Sequence, residues 1–417
     1  MEIKELLEEL YSYSFFGIKL GLDNMKKICE LLGNPQDKYK IIHVSGTNGK
    51  GSTSTMVENA LLYSGKRVGK YTSPHIIKFN ERIRVNGKEI SDEKIAEIYS
   101  KVKEAIKTSD VKPTFFEMTT AMMFLYFAEE NIEYAVLEVG MGGRFDATNV
   151  ADGDIAIVTN VSVEHTDYLG DNIYDIAKEK AGIIKNKSKV IVGDENEDFL
   201  KAIYERKSED KVINVLKKYK DVTYKLDFKN FRTNISLEHK NYSLSLFGDY
   251  QVKNFLCAYE ALKMLNIDEE IIKKGMSNLI WQCRFEIYSK EPLTVLEGAH
   301  NVDGMNNLKK IVSHGYDSNQ VVMIVSILKD KKIEEMLEIC QEMSDNIILT
   351  SLKENKRGLS GEELLSYSNK KNMTVKEEMK EAYLYGQKIL KNDENKKIII
   401  VCGSFYTCEK FKNSFKF

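Results

Sequence analysis

The stretch IIHVSGTNGKGSTSTM (residues 41–56) decides the fold, because it joins a mostly apolar run, a glycine-rich loop and a segment with helical spacing. Residues 41–45 are typical of a buried strand, and STSTMVENALLYSG (52–65) is typical of a helix. Strand, glycine loop and helix in this order form the setting of a phosphate-binding loop. The sequence therefore predicts an α/β domain that binds a nucleotide.

The spacing of this loop departs from the standard pattern G-x-x-x-x-G-K-[ST]. Gly46 is only three residues before Gly49, and the residue after Lys50 is Gly51, which has no hydroxyl for a metal ion. The glycines let backbone N–H groups approach phosphate oxygens, and Lys50 supplies a positive charge for the β- and γ-phosphates. The alternative, a glycine-rich turn with a surface lysine, is disfavoured by the strand before the loop and the helix after it.

Composition limits the class of protein. The chain has 417 residues, too many for one ordinary core, so two domains are expected. Hydrophobic residues make up 42% and charged residues 30%, which is ordinary globular composition. The net charge of -2 shows no basic excess, so we expect no nucleic-acid partner. No apolar run is long enough to cross a membrane, so we expect no membrane partner either.

The N-terminus and the cysteines indicate a cytoplasmic protein. MEIKELLEEL (1–10) is acidic and amphipathic, whereas a signal peptide has a basic start and an apolar stretch. None of the six cysteines has C-x-x-C spacing, so neither a zinc site nor a disulfide framework is indicated. Reduced thiols in a cytoplasm are the plain interpretation.

Alternating strands and helices predict a doubly wound sheet in the first part of the chain. EYAVLEVG (133–140) and DIAIVTNVS (154–162) are short, apolar and β-branched, like buried parallel strands. PTFFEMTTAMMFLYFAEE (113–130) and NIYDIAKEKAGIIK (172–185) read as helices. Residues 212–247 then alternate apolar and polar side chains, as an antiparallel meander does.

Strand–helix alternation resumes in the last third of the chain. The runs LTVLEG, VVMIVSIL, NIILTSL and KKIIIVCGS predict four further strands, and the polar stretch EIYSKEP precedes the first of them. We therefore place a domain boundary near 287–292. The predicted architecture is α/β, with a phosphate-loop, doubly wound domain over 1–290 and a smaller Rossmann-like domain over 291–417.

Polar side chains at predicted strand ends are candidate metal ligands. Ser73 could serve the metal ion that Gly51 cannot, although an ordinary Ser-Pro turn is the stronger interpretation of this stretch alone. Glu138 ends an apolar strand, a costly place for an unpaired charge, and Mg²⁺ is a natural partner. A pair with Arg144 or a lysine is the alternative. Asp146 adds a second acid nearby.

Two further residues indicate a site only in combination with other candidate ligands. His165 follows an apolar strand at the edge where ligands of α/β sheets gather, and a neutral imidazole there can bind a metal, but a lone histidine is more often structural. Lys180 lies in a predicted helix beside Glu179, which by itself indicates a solvated face.

The second half adds candidate nucleotide contacts. Asn254 shares a helix face with Gln251, and an amide can pair with the edge of adenine, although a polar helix face explains the pair equally well. Arg284 lies near the domain boundary, where an arginine can reach a γ-phosphate. Glu297 and His300 stand where a strand ends and a helix opens, the usual ligand-facing position.

Several motifs together resemble one family. HVSGTNGKGS, TSPHIIKFNERIRVNG, LEVGMGGRFDATN, SVEHTDYLG, KEKAGI, RFE, EGAHN and VCGSFY occur in the order found in folylpolyglutamate synthases and dihydrofolate synthases, which belong to the Mur ligase superfamily. The resemblance covers essentially the whole chain. GTNGKGS together with GMGGRFDATN is specific, whereas RFE or GSFY alone is weak.

The resemblance implies a set of roles that the residues alone leave open. It implies two magnesium ions held by Ser73, Glu138, His165 and a carbamylated Lys180. It implies ATP contacts from Gly46, Thr47, Asn48, Gly49, Lys50, Gly51, Ser52, Asn254, Arg284, Glu297 and His300. The residues expected to act in catalysis are Lys50, Glu138, His165, Lys180 and Arg284.

The acceptor side is less clearly marked. A flat pterin ring stacks well on apolar and aromatic groups, so candidate folate contacts are Phe79, Arg82, Phe115, Phe116 and Asp146. Core packing explains the phenylalanines equally well. Residues 79–87 look like a mobile polar segment, either a substrate loop or a solvated hairpin.

Two motifs depart from the family. Gln282 and Cys283 stand where the family has Pro-Gly before RFE, so the loop that carries Arg284 is expected to be less rigid. Glu297 and Val302 stand in a segment that usually reads Asp-Gly-Ala-His-Asn-Pro, which puts a direct nucleotide contact of Glu297 in doubt.

The implied reaction is ATP-driven amide formation through an acyl phosphate, with dihydropteroate or a reduced folate and L-glutamate as substrates. We expect a bifunctional dihydrofolate synthase/folylpolyglutamate synthase that acts as a monomer. The alternatives are a monofunctional folylpolyglutamate synthase, a cell-wall amino-acid ligase of the Mur type, and a non-catalytic module that binds ATP as a switch.

Overall fold

The computed structural model describes residues 3–13, 21–164, 166–368 and 373–415. The chain forms two compact units. The first unit comprises Met1–Tyr224, Asn234–Leu244 and Gln251–Leu279, and the second comprises Lys225–Thr233, Ser245–Tyr250 and Ile280–Phe417. The predicted boundary at 290/291 stays a prediction about folding domains.

An eight-stranded sheet forms the centre of the first unit. Its strands are β1 (Lys40–Ser45), β2 (Val68–Tyr71), β3 (Ile83–Val85), β4 (Lys88–Glu89), β5 (Tyr134–Glu138), β6 (Ile155–Val158), β7 (Lys189–Val192) and β8 (Val212–Asn214). They lie in the order β4-β3-β2-β5-β1-β6-β7-β8. The pairs between β2 and β8 are parallel, whereas β3 and β4 pair antiparallel at one edge.

The central strands are parallel because they are apolar on both faces. All residues of β6 and nearly all of β1 and β5 are buried, as expected for strands covered by helices on both sides. The chain leaves β1 toward β2 and β5 on one side and later continues to β6 on the other. The strand order therefore reverses at β1, which is the position where doubly wound sheets bind ligands.

Helices of the first unit connect these strands. They are α1 (Ile3–Ser12), α2 (Asp23–Leu31), α3 (Lys50–Tyr63), α4 (Asp92–Ile106), α5 (Phe115–Glu129), α6 (Thr166–Leu169), α7 (Ile173–Ala181), α8 (Glu197–Tyr204), α9 (Val215–Lys218), α10 (Tyr250–Met264) and α11 (Glu269–Ser277). Helices α3 and α5 are buried almost all round, so polar and apolar residues are not segregated onto separate faces of either helix.

Of the two interpretations of residues 79–87, a substrate loop and a solvated hairpin, the structure contradicts solvation of residues 79–82, which are buried. Residues Phe79–Arg82 form a buried helical turn, and the carboxylate of Glu81 accepts hydrogen bonds from the backbone N–H groups of Ile76, Ile77 and Lys78. The chain then enters the β3–β4 hairpin of the sheet. The polar side chains here are buried because they satisfy backbone groups, which composition does not reveal.

The predicted meander begins later than expected. Residues 212–214 pair in parallel with β7 and complete the large sheet. The antiparallel sheet consists of β9 (Thr223–Asp227), β10 (Arg232–Leu237) and β11 (Lys240–Leu244), in the order β11-β10-β9. Its residues are divided between the two units.

A six-stranded sheet forms the centre of the second unit. Its strands are β12 (Glu286–Lys290), β13 (Leu293–Leu296), β14 (Val321–Val325), β15 (Asn346–Leu349), β16 (Met373–Val375) and β17 (Ile398–Cys402), in the order β12-β13-β17-β14-β15-β16. Only β12 is antiparallel to its neighbour. The polar stretch assigned to the boundary is thus an edge strand, which tolerates polar residues because it is half-covered.

The remaining helices lie in the second unit. They are α12 (Val302–Gly315), α13 (Ile333–Met343), α14 (Gly361–Leu365), α15 (Met379–Asn392) and α16 (Phe405–Ser414). The predicted α/β class with two parallel-sheet domains is confirmed. Among the described residues, no helix has the length and apolar character needed to cross a membrane. All six cysteines are buried free thiols.

Candidate active site

Three strand ends of the first sheet, those of β1, β2 and β5, meet at one edge. Val44 on β1 pairs in register with Glu138 on β5, so the glycine loop after β1 starts beside Glu138. Tyr71 on β2 pairs with Leu137, so Ser73 follows at the same edge. Because this is also where the strand order reverses, the predicted phosphate loop and two predicted metal ligands share the ligand-binding edge of the sheet.

Glycine is required at two positions of the loop. Gly46 has φ 149° and Gly49 has φ 84°, which are conformations that other residues rarely adopt. A Cβ atom on Gly46 would lie 1.9 Å from Oγ1 of Thr159, and one on Gly49 would lie 2.1 Å from Oδ1 of Asn254. The loop therefore packs against two side chains as closely as a bare backbone allows.

Helix α3 starts from this loop without a side-chain cap. Gly49 is its N-cap residue and provides no side-chain acceptor, so the first N–H groups of the helix are free of the usual capping bond. The hydroxyl of Ser52 is buried and has no hydrogen-bond partner in the described part of the chain. A helix N-terminus without a side-chain cap and with a buried hydroxyl donor suits an anion such as phosphate.

Residues after β6 brace the loop from the other side. Thr159 donates its hydroxyl proton to the carbonyl of Asn48 at 2.7 Å, and the side chain of Asn160 accepts from the N–H of Asn48 at 2.9 Å. Lys50 donates its ammonium to the carbonyls of Gly46 at 2.8 Å and Thr47 at 3.0 Å. Thr159 and Asn160 were missed in the sequence, although they follow a predicted strand at the same edge.

Asn254 is held beside the loop by its helix neighbour. Its Nδ2 donates to Oε1 of Gln251 at 2.9 Å, and both side chains are buried. Its Oδ1 closely approaches Gly49. The polar face of α10 is therefore buried, and it turns the amide of Asn254 toward the glycine loop.

The metal-ligand candidates are only partly described. Glu138 is buried, with 6% exposure, and Ser73 is half-buried and followed by a cis peptide bond to Pro74. His165 lies outside the described residues. Among the described residues, no cluster of three or more His, Cys, Asp or Glu side chains has the geometry to hold a metal ion.

Lys180 is buried rather than solvated. Its side chain is 1% exposed, and its ammonium lies 3.2 Å from Oε1 of Glu164. Burial lowers the pKa of Lys180 to about 8, Glu164 opposes the shift, and the charge of Lys50 adds to it. The charge of Lys50 in the glycine loop therefore acts on Lys180 of α7. The interpretation of Lys180 as part of a solvated helix face is wrong.

A cavity of about 470 Å³ opens beside this edge. Arg82, Phe115, Phe116 and Asp146, four of the five candidate folate contacts, line it, and so does Ser73. A volume of this size suits a small organic molecule. The fifth candidate, Phe79, is buried and packs edge-on against Phe115 with ring centroids 6.4 Å apart.

The two cavity phenylalanines are placed by a helix cap. Thr114 and Glu117 form a capping box, in which the N–H of Thr114 donates to Oε2 of Glu117 at 2.7 Å and the N–H of Glu117 donates to Oγ1 of Thr114 at 3.2 Å. The cap fixes the start of α5 at Phe115, so Phe115 and Phe116 lie in its first turn.

Arg82 is a buried cation at the cavity. Its guanidinium carbon lies 5.3 Å from the ring centroid of Phe115, and its Nε donates to Nδ1 of His75 at 2.7 Å. Burial and the charge of Arg82 lower the pKa of His75 to about 3, so His75 is neutral and acts as an acceptor. The cavity therefore combines aromatic faces with one positive charge.

Three separate motifs meet in the second unit. Because β13 and β17 are parallel neighbours, the segments after them lie side by side. The guanidinium carbon of Arg284 lies 4.6 Å from the ring centroid of Phe405, and its Nη1 lies 3.8 Å from Oε1 of Glu297. The ring centroids of His300 and Phe405 lie 5.4 Å apart. A Cβ atom on Gly298 would lie 2.4 Å from Cε1 of Phe405. Phe405 is a member of the cluster that the sequence did not single out.

Glu297 accepts a hydrogen bond from the loop that carries Arg284. Its Oε2 accepts from the N–H of Phe285 at 2.7 Å, and the side chain is 5% exposed. Burial raises the pKa of Glu297, while the Arg284 charge and backbone N–H groups oppose the rise. The longer glutamate side chain thus reaches the loop that carries Arg284.

Comparisons with known proteins agree with this geometry. Residues 44–262 match the model of the Mur ligase middle domain, and residues 283–413 match that of the dihydrofolate synthetase C-terminal domain. The dihydrofolate synthase/folylpolyglutamate synthase of Bacillus subtilis is 31% identical over 423 residues, covering 96% of each chain.

Solved structures with the same fold include two relatives with bound ligands. E. coli FolC in complex with DHPP and ADP has a TM-score of 0.85 and 27% identity, over 99% of this chain and 97% of that one. A bifunctional folylpolyglutamate synthase/dihydrofolate synthase with Mn, AMPPNP and L-glutamate bound has a TM-score of 0.84 and 26% identity, over 99% of this chain and 98% of that one. The chain belongs to the dihydrofolate synthase/folylpolyglutamate synthase family, with a central domain of the Mur ligase type, and is an ATP-dependent ligase.

Proposed function

We propose that this protein joins L-glutamate to dihydropteroate and to reduced folates, as a bifunctional dihydrofolate synthase/folylpolyglutamate synthase. The observation that carries the proposal is the meeting of the glycine loop, the uncapped start of α3 and buried Glu138 at one sheet edge, with an aromatic cavity beside them. The relatives with ADP, DHPP, AMPPNP and L-glutamate bound support it, because these ligands suit a phosphate loop and an aromatic cavity.

The nucleotide is assigned to the glycine loop. Backbone N–H groups of Gly46 to Ser52 and the ammonium of Lys50 bind its phosphates, and the buried hydroxyl of Ser52 gains a partner that it does not find among the described residues. Asn254 contacts the base. From the second unit, Arg284, Glu297 and His300 are assigned to the nucleotide by the family resemblance.

Ser73 and Glu138 fit a magnesium ion. Both offer oxygen, the ligand that Mg²⁺ prefers, and a buried carboxylate such as Glu138 is well matched to a cation. A bound magnesium ion would neutralise charge on the phosphates. His165 completes the assigned set, by the family resemblance.

Lys180 is proposed to be carbamylated. Its pKa of about 8 leaves more of the amine neutral than an ordinary lysine at neutral pH, and only the neutral amine adds to CO₂. The Nζ–C bond forms as one C=O bond opens, and a proton leaves the nitrogen. The product is an anion, which suits a site beside a divalent cation better than an ammonium group does.

The reaction proceeds in two displacements. An oxygen of the acceptor carboxylate attacks the γ-phosphorus of ATP, and ADP leaves with the electron pair of the broken P–O bond. The amine of L-glutamate then attacks the carbonyl carbon of the acyl phosphate, inorganic phosphate leaves, and the nitrogen loses a proton. Lys50 and Arg284 are assigned to stabilise the charge on the transferred phosphoryl group.

The acceptor ring is assigned to the aromatic cavity. Phe115 and Phe116 offer faces for a flat heterocycle, Arg82 offers a cation for an acceptor carboxylate, and Asp146 lies in the wall. Phe79 is assigned an indirect role, because it packs edge-on against the ring of Phe115 from the core side.

Lys50→Ala tests the assignment of the loop. We expect glutamate-dependent ADP release to fall by at least about a hundredfold, since removing one positioned charge from such a site typically has an effect of this size. Lys187→Ala is the control, because the Lys187 side chain is 53% exposed and lies in another loop. Unchanged turnover of Lys50→Ala refutes the assignment.

The choice of acceptor tests bifunctionality. Dihydropteroate and tetrahydrofolate are offered in parallel to the wild-type protein, with ADP release and amide product measured for each. Two products support the bifunctional enzyme, and a product from tetrahydrofolate alone supports the monofunctional one. ADP release from neither contradicts the ligase proposal and favours the switch module. Monomeric state and cytoplasmic location stay predictions.

A further inference from the structure

A buried histidine on β1 begins a chain of hydrogen bonds that ends at the aromatic cavity. Nε2 of His43, whose side chain is 0% exposed, lies 2.9 Å from Oγ1 of Thr148. The Thr148 hydroxyl donates to Oδ1 of Asp146 at 2.5 Å. Both Thr148 and Asp146 are buried as well, so water does not compete for these bonds.

The direction of these bonds fixes the state of the histidine ring. A hydroxyl has one proton, and that of Thr148 goes to Asp146, so Thr148 can only accept from His43. His43 therefore carries its proton on Nε2. Burial and the charge of Lys185 lower the pKa of His43 to about 3, which keeps the ring neutral.

The other ring nitrogen of His43 destabilises the fold, because burial removes it from water and no described residue replaces the lost hydrogen bond. Nδ1 of His43 is buried and has no hydrogen-bond partner among the described residues. An apolar residue at this position of β1 would avoid that cost. The bond from Nε2 to Thr148 is accordingly the interaction that accounts for a histidine here.

Asp146 links Thr148 to the cavity wall through hydrogen bonds. Its Oδ2 accepts from the N–H groups of Gly140 at 3.0 Å and Met141 at 3.1 Å, and its Oδ1 also accepts from the N–H of Thr148 at 3.0 Å. Gly140 and Met141 both line the cavity. With four donors around it, the carboxylate holds this segment in place.

The held segment sets the width of the cavity. A Cβ on Gly140 would lie 2.6 Å from Cζ of Phe116, so the backbone at Gly140 touches the edge of that ring. A shift of the segment by a fraction of an ångström changes the space beside Phe116, where a flat ring is proposed to bind.

We propose that His43 is a positioning residue for the acceptor: through Thr148 and Asp146 it fixes the Gly140–Met141 wall of the aromatic cavity and so sets the affinity for the acceptor ring. This inference rests on the proposed function. It assigns His43 no contact with ATP, although β1 also leads into the phosphate loop.

Paired variants of Thr148 test it. Thr148→Val keeps the shape but removes the hydroxyl, whereas Thr148→Ser keeps the hydroxyl. We expect Thr148→Val and His43→Leu each to raise the KM for dihydropteroate about tenfold, the effect of losing one buried hydrogen bond, with the KM for ATP and kcat unchanged. Thr148→Ser is expected to retain the wild-type KM for dihydropteroate.

Two outcomes contradict the proposal. If Thr148→Val and His43→Leu keep the wild-type KM for dihydropteroate, the chain does not position the wall. If they raise both KM values and lower kcat together, the residues act on the whole unit. Absence of dihydropteroate-dependent ADP release in the wild type would instead refute the proposed function, so the two failures are distinguishable.

Nitrogen-15 NMR of the wild-type protein provides a test that needs no variant to fold. We expect the His43 ring to appear as the neutral Nε2–H tautomer and to stay so as the pH falls from about 8 to about 5, the range in which an ordinary histidine takes up a proton. A ring protonated on Nδ1, or one that titrates in this range, overturns the proposed chain of bonds.

Discussion

The loop before Lys50 and the loop that carries Arg284 both contain backbone with positive φ, but they reach it differently. In the first loop the residues concerned are glycines, Gly46 at φ 149° and Gly49 at φ 84°. In the second they are Cys283 at φ 55° and Phe285 at φ 47°. Glycine adopts such angles without strain, whereas a residue with a Cβ atom is held there at a cost of about 1–3 kcal/mol.

The second loop is held by hydrogen bonds to side chains outside it, one of them close in the chain and the others distant. The N–H of Cys283 donates to Oε2 of Glu286 at 2.8 Å, and the N–H of Phe285 donates to Oε2 of Glu297 at 2.7 Å. The ammonium of Lys412 binds Oε1 of Gln282 at 2.6 Å and also Glu286. The comparison teaches that a loop can be shaped by its own residue types or by partners far away in the chain.

The largest expected effect is that of Gly49→Ala. The new Cβ would strike Oδ1 of Asn254 at 2.1 Å in a conformation that alanine rarely adopts, so the loop must move. We expect turnover to fall about a hundredfold, as small displacements of a positioned group commonly cause. Steady-state ADP release measures it.

Gly65→Ala is the matched control for that variant. Gly65 has φ 78°, close to that of Gly49, but apart from its chain neighbours no described residue comes within 4 Å of its Cβ position. It should lower the free energy of unfolding by about 1 kcal/mol and leave turnover unchanged. Equal losses of turnover in the two variants would mean that backbone strain, rather than the contact with Asn254, limits the loop.

An intermediate effect is expected from Glu297. Glu297→Leu leaves the N–H of Phe285 buried without an acceptor and removes the carboxylate beside Arg284, which should lower the free energy of unfolding by about 1–3 kcal/mol. Glu297→Gln keeps an acceptor oxygen and should lose less. Urea unfolding compares them, and equal losses would contradict a role for the bond to Phe285.

The smallest effect is expected from Cys283→Gly. Glycine relieves the strain at φ 55° but gives the unfolded chain more freedom, so the free energy of unfolding should change by less than about 1 kcal/mol. Cys283→Val puts a β-branched side chain at this angle and should cost about 1–3 kcal/mol. Urea unfolding of both variants checks it, and similar values for the two would show that the angle carries no strain.

Much of the fold could be predicted from local patterns. The strands around 41–45, 133–140 and 154–162 are short apolar runs, and the structure keeps each of them with ends shifted by a few residues. Residues 79–82 were misread because their polar groups are buried against backbone N–H groups, as Glu81 is. A polar side chain looks the same in the sequence whether water or the backbone satisfies it.

The candidate site could be predicted where its residues carry a chemical signal of their own. The residue types of Gly46, Gly49 and Lys50 and their order in the chain predict a phosphate-binding loop. Thr148 and Phe405 gave no such signal, because a threonine and a phenylalanine acquire their roles only from neighbours that are distant in the sequence, Asp146 with His43 in one case and Arg284 in the other.

By itself, the sequence determined the alternation of strands and helices and the glycine loop, since periodicity, β-branching and missing Cβ atoms act within a few residues. Only the tertiary structure decided that Lys180 is buried, that His43 lies within hydrogen-bond distance of Thr148 and that Glu297 holds the loop of Arg284. Those properties depend on burial and on hydrogen-bond partners, which exist only after separate segments have packed together.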